Sequence, residues 1–130
     1  MASSVLRIWV SILMFGALGA VSRYGISLLV PHHDPAGWPW ATFLINVVGS
    51  LALGVTLALA ARNNLSMVWR EGVGTGFLGA FTTFSAYSME TVRLVQSGSV
   101  LLAVLYAFSS ILLGVCAALA GMTAARKKEA

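Results

Sequence analysis

Four stretches of this chain run long enough to cross a lipid bilayer while holding almost no charge: Ile8–Val30, Trp40–Ala61, Gly72–Val95 and Val100–Met122. A hydrocarbon core of ~30 Å takes about 20 helical residues, and each stretch meets that length. Strands do not explain them, because the runs are too long and lack period-two alternation. Lipid also demands that backbone polar groups be satisfied internally, which a helix does. The composition agrees: 58% of the 130 residues are hydrophobic and 9% are charged, far from the quarter charged that a soluble domain carries. The expectation is an all-α membrane protein, one domain over 1–130, with four transmembrane helices, short connections and no soluble part.

Several classes fall away early. Arg7, an apolar run and then Gly16–Ala20 have the outline of a signal peptide, but the run continues to Val30, which suits a retained helix. A net charge of +4 raises the question of nucleic acid. The charges are placed otherwise: Arg126, Lys127 and Lys128 follow the last helix, where they meet an anionic leaflet, and no basic patch is interleaved with aromatics. No nucleic-acid partner is expected. Cys116 is the one cysteine, so no internal disulfide forms, and it reads as a small packing residue. There is no phosphate-binding GxxxxGK[ST] loop, no Ser-His-Asp set and no pair of catalytic carboxylates, so neither ATP-driven pumping nor an enzyme is expected.

Four spans put both termini on one side. Arg7, Arg62, Arg70, Arg126, Lys127 and Lys128 lie on that side, six of the eight basic residues. The positive-inside rule assigns it to the cytoplasm, and the chain to the inner cell membrane as a multi-pass protein. Opposite lies 31-PHHDPAGWPW-40, where Trp38 and Trp40 suit an interfacial belt. His32, His33 and Asp34 resemble metal ligands, but neighbours in sequence rarely converge on one ion and no fourth ligand is visible; a solvated loop is expected.

The polar groups inside the spans carry the functional signal. Gly16, Gly19, Gly25, Gly49 and Gly54 read as close-packing positions. Asn46, in 43-FLINVVGSLALG-54, has Ser50 one turn further along. It is either a bridge between helices or a donor lining a pore, since an amide in hydrocarbon needs partners. Arg23 is a snorkelling or structural charge, or an attractor of anions at a vestibule. Glu90 pairs with Arg93 at i,i+3 in the plain reading.

The richest segment is 76-GFLGAFTTFSAYSME-90. Gly74, Gly76, Gly79 and the β-branched pair Thr82-Thr83 weaken a helix, so an interruption near 79–83 is expected. Freed carbonyls there would suit a hard cation. Beyond it Phe84, Tyr87, Ser88 and Thr91 share one face by their spacing. Ring edges are partly positive, and with amide and hydroxyl donors they make a surface for a small anion without a fixed positive charge. Tyr106 and Ser110 extend that polar line on the fourth helix, which then stops at Gly114.

These residues resemble the Fluc/CrcB family of microbial fluoride channels, over nearly the whole chain: 16-GALGAVSRYG-25, 46-NVVGSLALG-54 and 76-GFLGAFTTFSAYSME-90. The resemblance implies a dimer of oppositely oriented subunits with two fluoride paths at the interface, and passive exit of cytoplasmic fluoride that relieves its toxicity. It implies a structural, untransported Na+ on the backbone carbonyls of Gly79 and Thr82. It also implies pore residues Asn46, Thr83, Phe84, Tyr87, Ser88, Tyr106 and Ser110. Three positions depart from the family pattern. Tyr87 stands for a second phenylalanine, Ala86 for a common threonine, and Gly114 ends the fourth-helix line early. The charge bias adds a question: a chain that inserts both ways should show little bias, so pairing with an oppositely oriented homologue competes with a homodimer. A small multidrug transporter would need a carboxylate in the first helix, which holds Arg23 instead. A non-transporting scaffold would leave TTFS and Asn46 without a role.

Overall fold

The computed structural model describes residues 2–30, 34, 36–62 and 65–126, and among these it is all helix, with no strand. Three helices are long and apolar enough to span a bilayer: α1 (Ala2–Leu29), α2 (Trp40–Ala61) and α6 (Val100–Arg126). Between α2 and α6 the chain makes a shorter, composite passage. It begins with α3 (Met67–Glu71), passes into a π-helical stretch, π1 (Gly72–Leu78), and ends its first half with α4 (Gly79–Phe81). After Thr82 and Thr83 it resumes as α5 (Phe84–Gln96). At ~1.5 Å per residue, α5 is about 20 Å long, two thirds of a hydrocarbon core.

Local chemistry sets these boundaries. Ser66 caps α3, accepting from the Trp69 N–H at 3.5 Å, and the Thr83 hydroxyl caps α5, accepting from the Ala86 N–H at 3.2 Å. Gly98, at φ 84°, closes α5: its N–H donates to Val95 and the Ser99 N–H reaches back to Leu94. That left-handed turn is one a glycine adopts without strain. The π-helical stretch follows from 72-GVGTG-76, where glycines and β-branched residues leave little preference for the tighter α spacing.

Packing rests on small residues. A Cβ on Gly19 would strike the Phe77 carbonyl; one on Gly76 would stand 2.7 Å from the Ile12 carbonyl. Thus α1 and π1 approach backbone to backbone. Gly54 meets the Ala118 carbonyl and Gly121 the Leu51 carbonyl in the same way, joining α2 to α6. Gly25, expected among these positions, has nothing within 4 Å. In lipid such close approach is how helices associate, since apolar burial gives little drive there. The outer surface matches: Leu13 is 70% exposed, Leu101 74% and Leu29 82%, which water would not tolerate over whole helix faces.

Trp38 and Trp40 stand side by side just at the start of α2, with ring centroids 5.8 Å apart. The Trp38 ring also packs edge-on to Tyr106 at 5.5 Å and to Phe43 at 5.4 Å. His32, His33, Lys127 and Lys128 lie outside the described residues. Asp34 is described, and its carboxylate accepts from the Ala36 N–H at 2.9 Å, a local turn.

Candidate functional site

The interruption at Thr82-Thr83 organises the polar residues. Gly79 itself is helical (φ −64°, ψ −33°), whereas Thr82 (ψ 156°) and Thr83 (φ −146°, ψ 118°) are extended. The bend is therefore made by the two β-branched residues and not by the glycine. Gly49 of α2 makes room for it, since a Cβ there would collide with the Thr82 methyl. Asn46 holds it in place: its amide nitrogen donates to the Thr83 carbonyl at 3.0 Å, and its amide oxygen accepts from the Thr83 N–H at 2.8 Å. The side chain thus pairs with the backbone as a neighbouring strand would, and one amide hydrogen remains.

In an unbroken helix the carbonyls of residues 79–82 would receive N–H groups from residues 83–86. Here the Thr83 and Ala86 N–H groups are taken by Asn46 and by the Thr83 hydroxyl. The Ala80 carbonyl receives the Arg23 guanidinium at 3.1 Å instead. The carbonyls of Gly79 and Thr82 accept no hydrogen bond among the described residues. Uncommitted carbonyls at a helix C-terminal end are the donor set a hard monovalent cation takes. The residues present therefore fit such an ion.

Beside this bend lies a groove of about 280 Å³. Asn46 and Ser50 of α2, Thr82, Thr83, Phe84, Tyr87 and Ser110 line it, with Leu53 and Ile111 at its apolar side. The rings of Phe84 and Tyr87 lie 5.6 Å apart. Phe84 is 79% exposed, so it faces whatever covers the groove. The Ser110 hydroxyl is buried with no hydrogen-bond partner, a group awaiting one. The groove has no cationic side chain among its lining residues.

Not every expected residue joins it. The Ser88 hydroxyl is bonded back to the Phe84 carbonyl at 2.9 Å and Thr91 to that of Tyr87 at 2.8 Å, the habit of hydroxyls in helices. Tyr106 is fully buried (0% exposed) and lies outside the groove lining. Its hydroxyl donates to Glu90 at 2.8 Å, and Thr42 donates to the other oxygen of that carboxylate at 2.8 Å. This replaces the expected Glu90–Arg93 pair: the carboxylate turns inward to two hydroxyls, and Arg93 stays exposed. Thr42 was not anticipated, although it stands one turn before Asn46 on the same helix face, a signal that spacing alone carries. The Tyr87 hydroxyl reaches only to 3.4 Å from the Ala107 carbonyl, a weak contact.

A second groove, of about 460 Å³, lies further along α2 toward the end of the molecule that carries both termini. There the Glu71 carboxylate accepts from Thr75 at 2.7 Å and from Arg70 at 2.9 and 3.0 Å. The Thr75 hydrogen bond first, then Arg70, holds its carboxyl below the usual range.

The molecule is thus a small multi-pass helical membrane protein. Several of its polar side chains, Asn46, Ser50, Thr82, Thr83 and Ser110, gather at one bend and the groove beside it, a layout suited to a passage for a small ion. Residues 10–122 match the model of the CrcB-like family, described as "CrcB-like protein, Camphor Resistance (CrcB)", and the chain belongs to that family. It is 47% identical over 115 residues to a protein of Hyphomonas neptunium named fluoride-specific ion channel FluC, covering 86% of this chain and 90% of that one. Proteins of the same name from Thermus thermophilus (46% identity; 82% and 85% covered) and Acidobacterium capsulatum (42%; 88% and 91%) are also similar to it.

Proposed function

We propose that this chain is a fluoride-specific ion channel of the cell membrane, not an enzyme, through which cytoplasmic fluoride leaves passively and its toxicity is relieved. The groove beside Thr82-Thr83 carries the reading. It offers the unpartnered Ser110 hydroxyl, the remaining amide hydrogen of Asn46 and two ring edges, with no cation among its lining side chains. Those are donors for a small, strongly hydrated anion, which a fixed positive charge would instead trap. The relatives' name points to the same anion.

The working unit in this reading is a dimer of oppositely oriented subunits. Non-helical backbone at membrane depth survives only when protein or water covers it, and Gly79, Phe84 and the groove mouth all lie open in the single chain. A second subunit laid across the interrupted third span would cover them and complete the path. Gly79 and Thr82 of both subunits would then hold one structural Na+, which supplies charge neutralisation for carbonyls facing each other and is not itself transported. Asn46, Thr83, Phe84, Tyr87 and Ser110 serve the anion. Arg23 and Glu90 are positioning charges, the first on the bend and the second on Tyr106. Both termini face the cytoplasm in the majority orientation, and the partner is a second copy or an oppositely inserted homologue.

Fluoride and chloride efflux from reconstituted liposomes, with sodium present or replaced by a large organic cation, tests this. Fluoride release that outpaces chloride and falls without sodium is expected. Equal rates for the two halides refute the fluoride assignment; sodium-independent fluoride flux refutes the ion's structural role.

A further inference from the structure

The two grooves share one residue. Leu53 closes the polar groove at its apolar end and opens the larger groove that runs on to Arg70, Glu71 and Thr75. Asn46, Ser50, Leu53, Leu57 and Ala60 follow one face of α2 at steps of three and four, so the two spaces lie in line along a single helix. Leu53 stands about 10 Å from Asn46 and about 10 Å from Ala60 along the axis. At the far end the apolar wall of Leu57, Ala60 and Ala61 faces hydrophilic groups: the Arg70–Glu71 ion pair and the Thr75 hydroxyl, with Arg70 47% exposed. The same end carries Arg7, Arg62 and Arg126 against the single carboxylate of Glu71 among the described residues. That balance raises the local concentration of anions.

We propose that the second groove is a water-filled antechamber on the terminus-bearing side, and that Leu53 is the apolar waist through which fluoride passes into the polar groove. The proposal rests on the fluoride reading above and extends it to a residue that sets the rate. A leucine at a narrow point holds little water, so an ion crosses only by shedding part of its shell; constrictions of this kind regulate flow by dewetting. Selectivity stays with the groove beyond, where the donors are. Leu53 is 37% exposed and Leu57 48% in the single chain. The side chains thus project into open space, and a change in bulk at Leu53 alters the opening and leaves the helix packing made by Gly49 and Gly54 intact.

The test uses the full chain in liposomes and two independent readouts. Leu53→Phe should slow fluoride efflux about tenfold with the fluoride-to-chloride ratio kept, and Leu53→Ala should match or exceed the original rate, as expected of a hydrophobic gate. Separately, Leu57→Cys in a Cys116→Ser background should react with a charged, water-soluble methanethiosulfonate, while Leu112→Cys on the lipid face should not. Efflux unchanged in Leu53→Phe overturns the waist. Leu57→Cys that stays unlabelled while fluoride efflux proceeds overturns the antechamber and leaves the channel reading standing. Labelling with no fluoride flux in any variant keeps the water-filled chamber and refutes the fluoride assignment. If Leu53→Phe does not elute as a folded species, the labelling pair and Leu53→Ala decide: an Ala variant slower than the original refutes the waist.

Discussion

Asn46→Ala separates two jobs that an amide in a channel can do. If the residue only presents a hydrogen to a passing ion, its loss stops flux and leaves the fold as stable as before. The geometry assigns it more. Both of its bonded atoms are spent on Thr83, at 3.0 and 2.8 Å. Removing the side chain therefore strips the Thr83 N–H and C=O of partners together. An unsatisfied buried backbone group costs about 1–3 kcal/mol, so the sum is about 2–6 kcal/mol. Thr83 is only half-buried and borders an open groove, so water replaces part of what is lost, and about 2 kcal/mol is the reasonable expectation. Unfolding in mixed SDS–detergent micelles, followed by tryptophan fluorescence, should show an earlier midpoint for Asn46→Ala. Fluoride efflux should fall as well. Asn46→Asp keeps the acceptor for the Thr83 N–H but sets an oxygen against the Thr83 carbonyl, so it should lose flux too. An unchanged unfolding midpoint in Asn46→Ala, with flux abolished, would refute the clamp and return Asn46 to the ion alone.

Two further outcomes follow from single contacts. Tyr87→Phe gives up only the 3.4 Å contact to Ala107, so stability should hold within about 0.5 kcal/mol while fluoride conduction changes; unchanged flux in liposomes shows that the hydroxyl has no part in the path. Gly19→Ala drives a methyl into the Phe77 carbonyl, backbone that cannot swing aside, so the variant should elute aggregated or unfold about 1–3 kcal/mol more easily; normal elution and midpoint contradict the close α1–π1 packing.

The spans were legible because lipid makes length and lack of charge nearly sufficient evidence. α2 runs from Trp40 to Ala61 as its apolar run does. The groove was legible in part for a related reason: Asn46, Thr83, Phe84, Tyr87 and Ser110 are polar or aromatic where lipid-facing positions would be aliphatic. Spacing could not say which hydroxyls were already spent. Ser88 and Thr91 sit at the right positions on α5 and yet bond their own backbone, a choice made within one turn and invisible to periodicity. Nor could spacing along one helix reveal partners across helices. Glu90 and Arg93 are neighbours on α5, but the carboxylate finds Thr42 and Tyr106 on two other helices. The π-helical geometry of 72–78 was missed because glycines signal weakness of a helix without saying which looser form replaces it.

The bend brings two helix ends of opposite polarity within reach of one side chain. The C-terminal end of α4 presents carbonyls, and the first turn of α5 presents N–H groups. One end favours a cation and the other an anion, so a site for each can lie side by side without a charged residue placed for either. Arg23 and Asn46 occupy some of those groups, Arg23 at Ala80 and Asn46 at Thr83, and thereby define which remain. Among the described residues the carbonyls of Gly79 and Thr82 stay uncommitted, which is why they go to a cation in the proposed function; the hydroxyl of Ser110 and the second amide hydrogen of Asn46 stay uncommitted, which is why they go to an anion there. Tyr87 lines the groove, beside Phe84 and 5.6 Å from the buried ring of Tyr106. A phenolic hydroxyl at that point adds a dipole that no neighbour firmly orients. It is free to turn its hydrogen toward an anion in the groove, which is the physical reason for expecting Tyr87→Phe to act on conduction and to leave the fold unchanged.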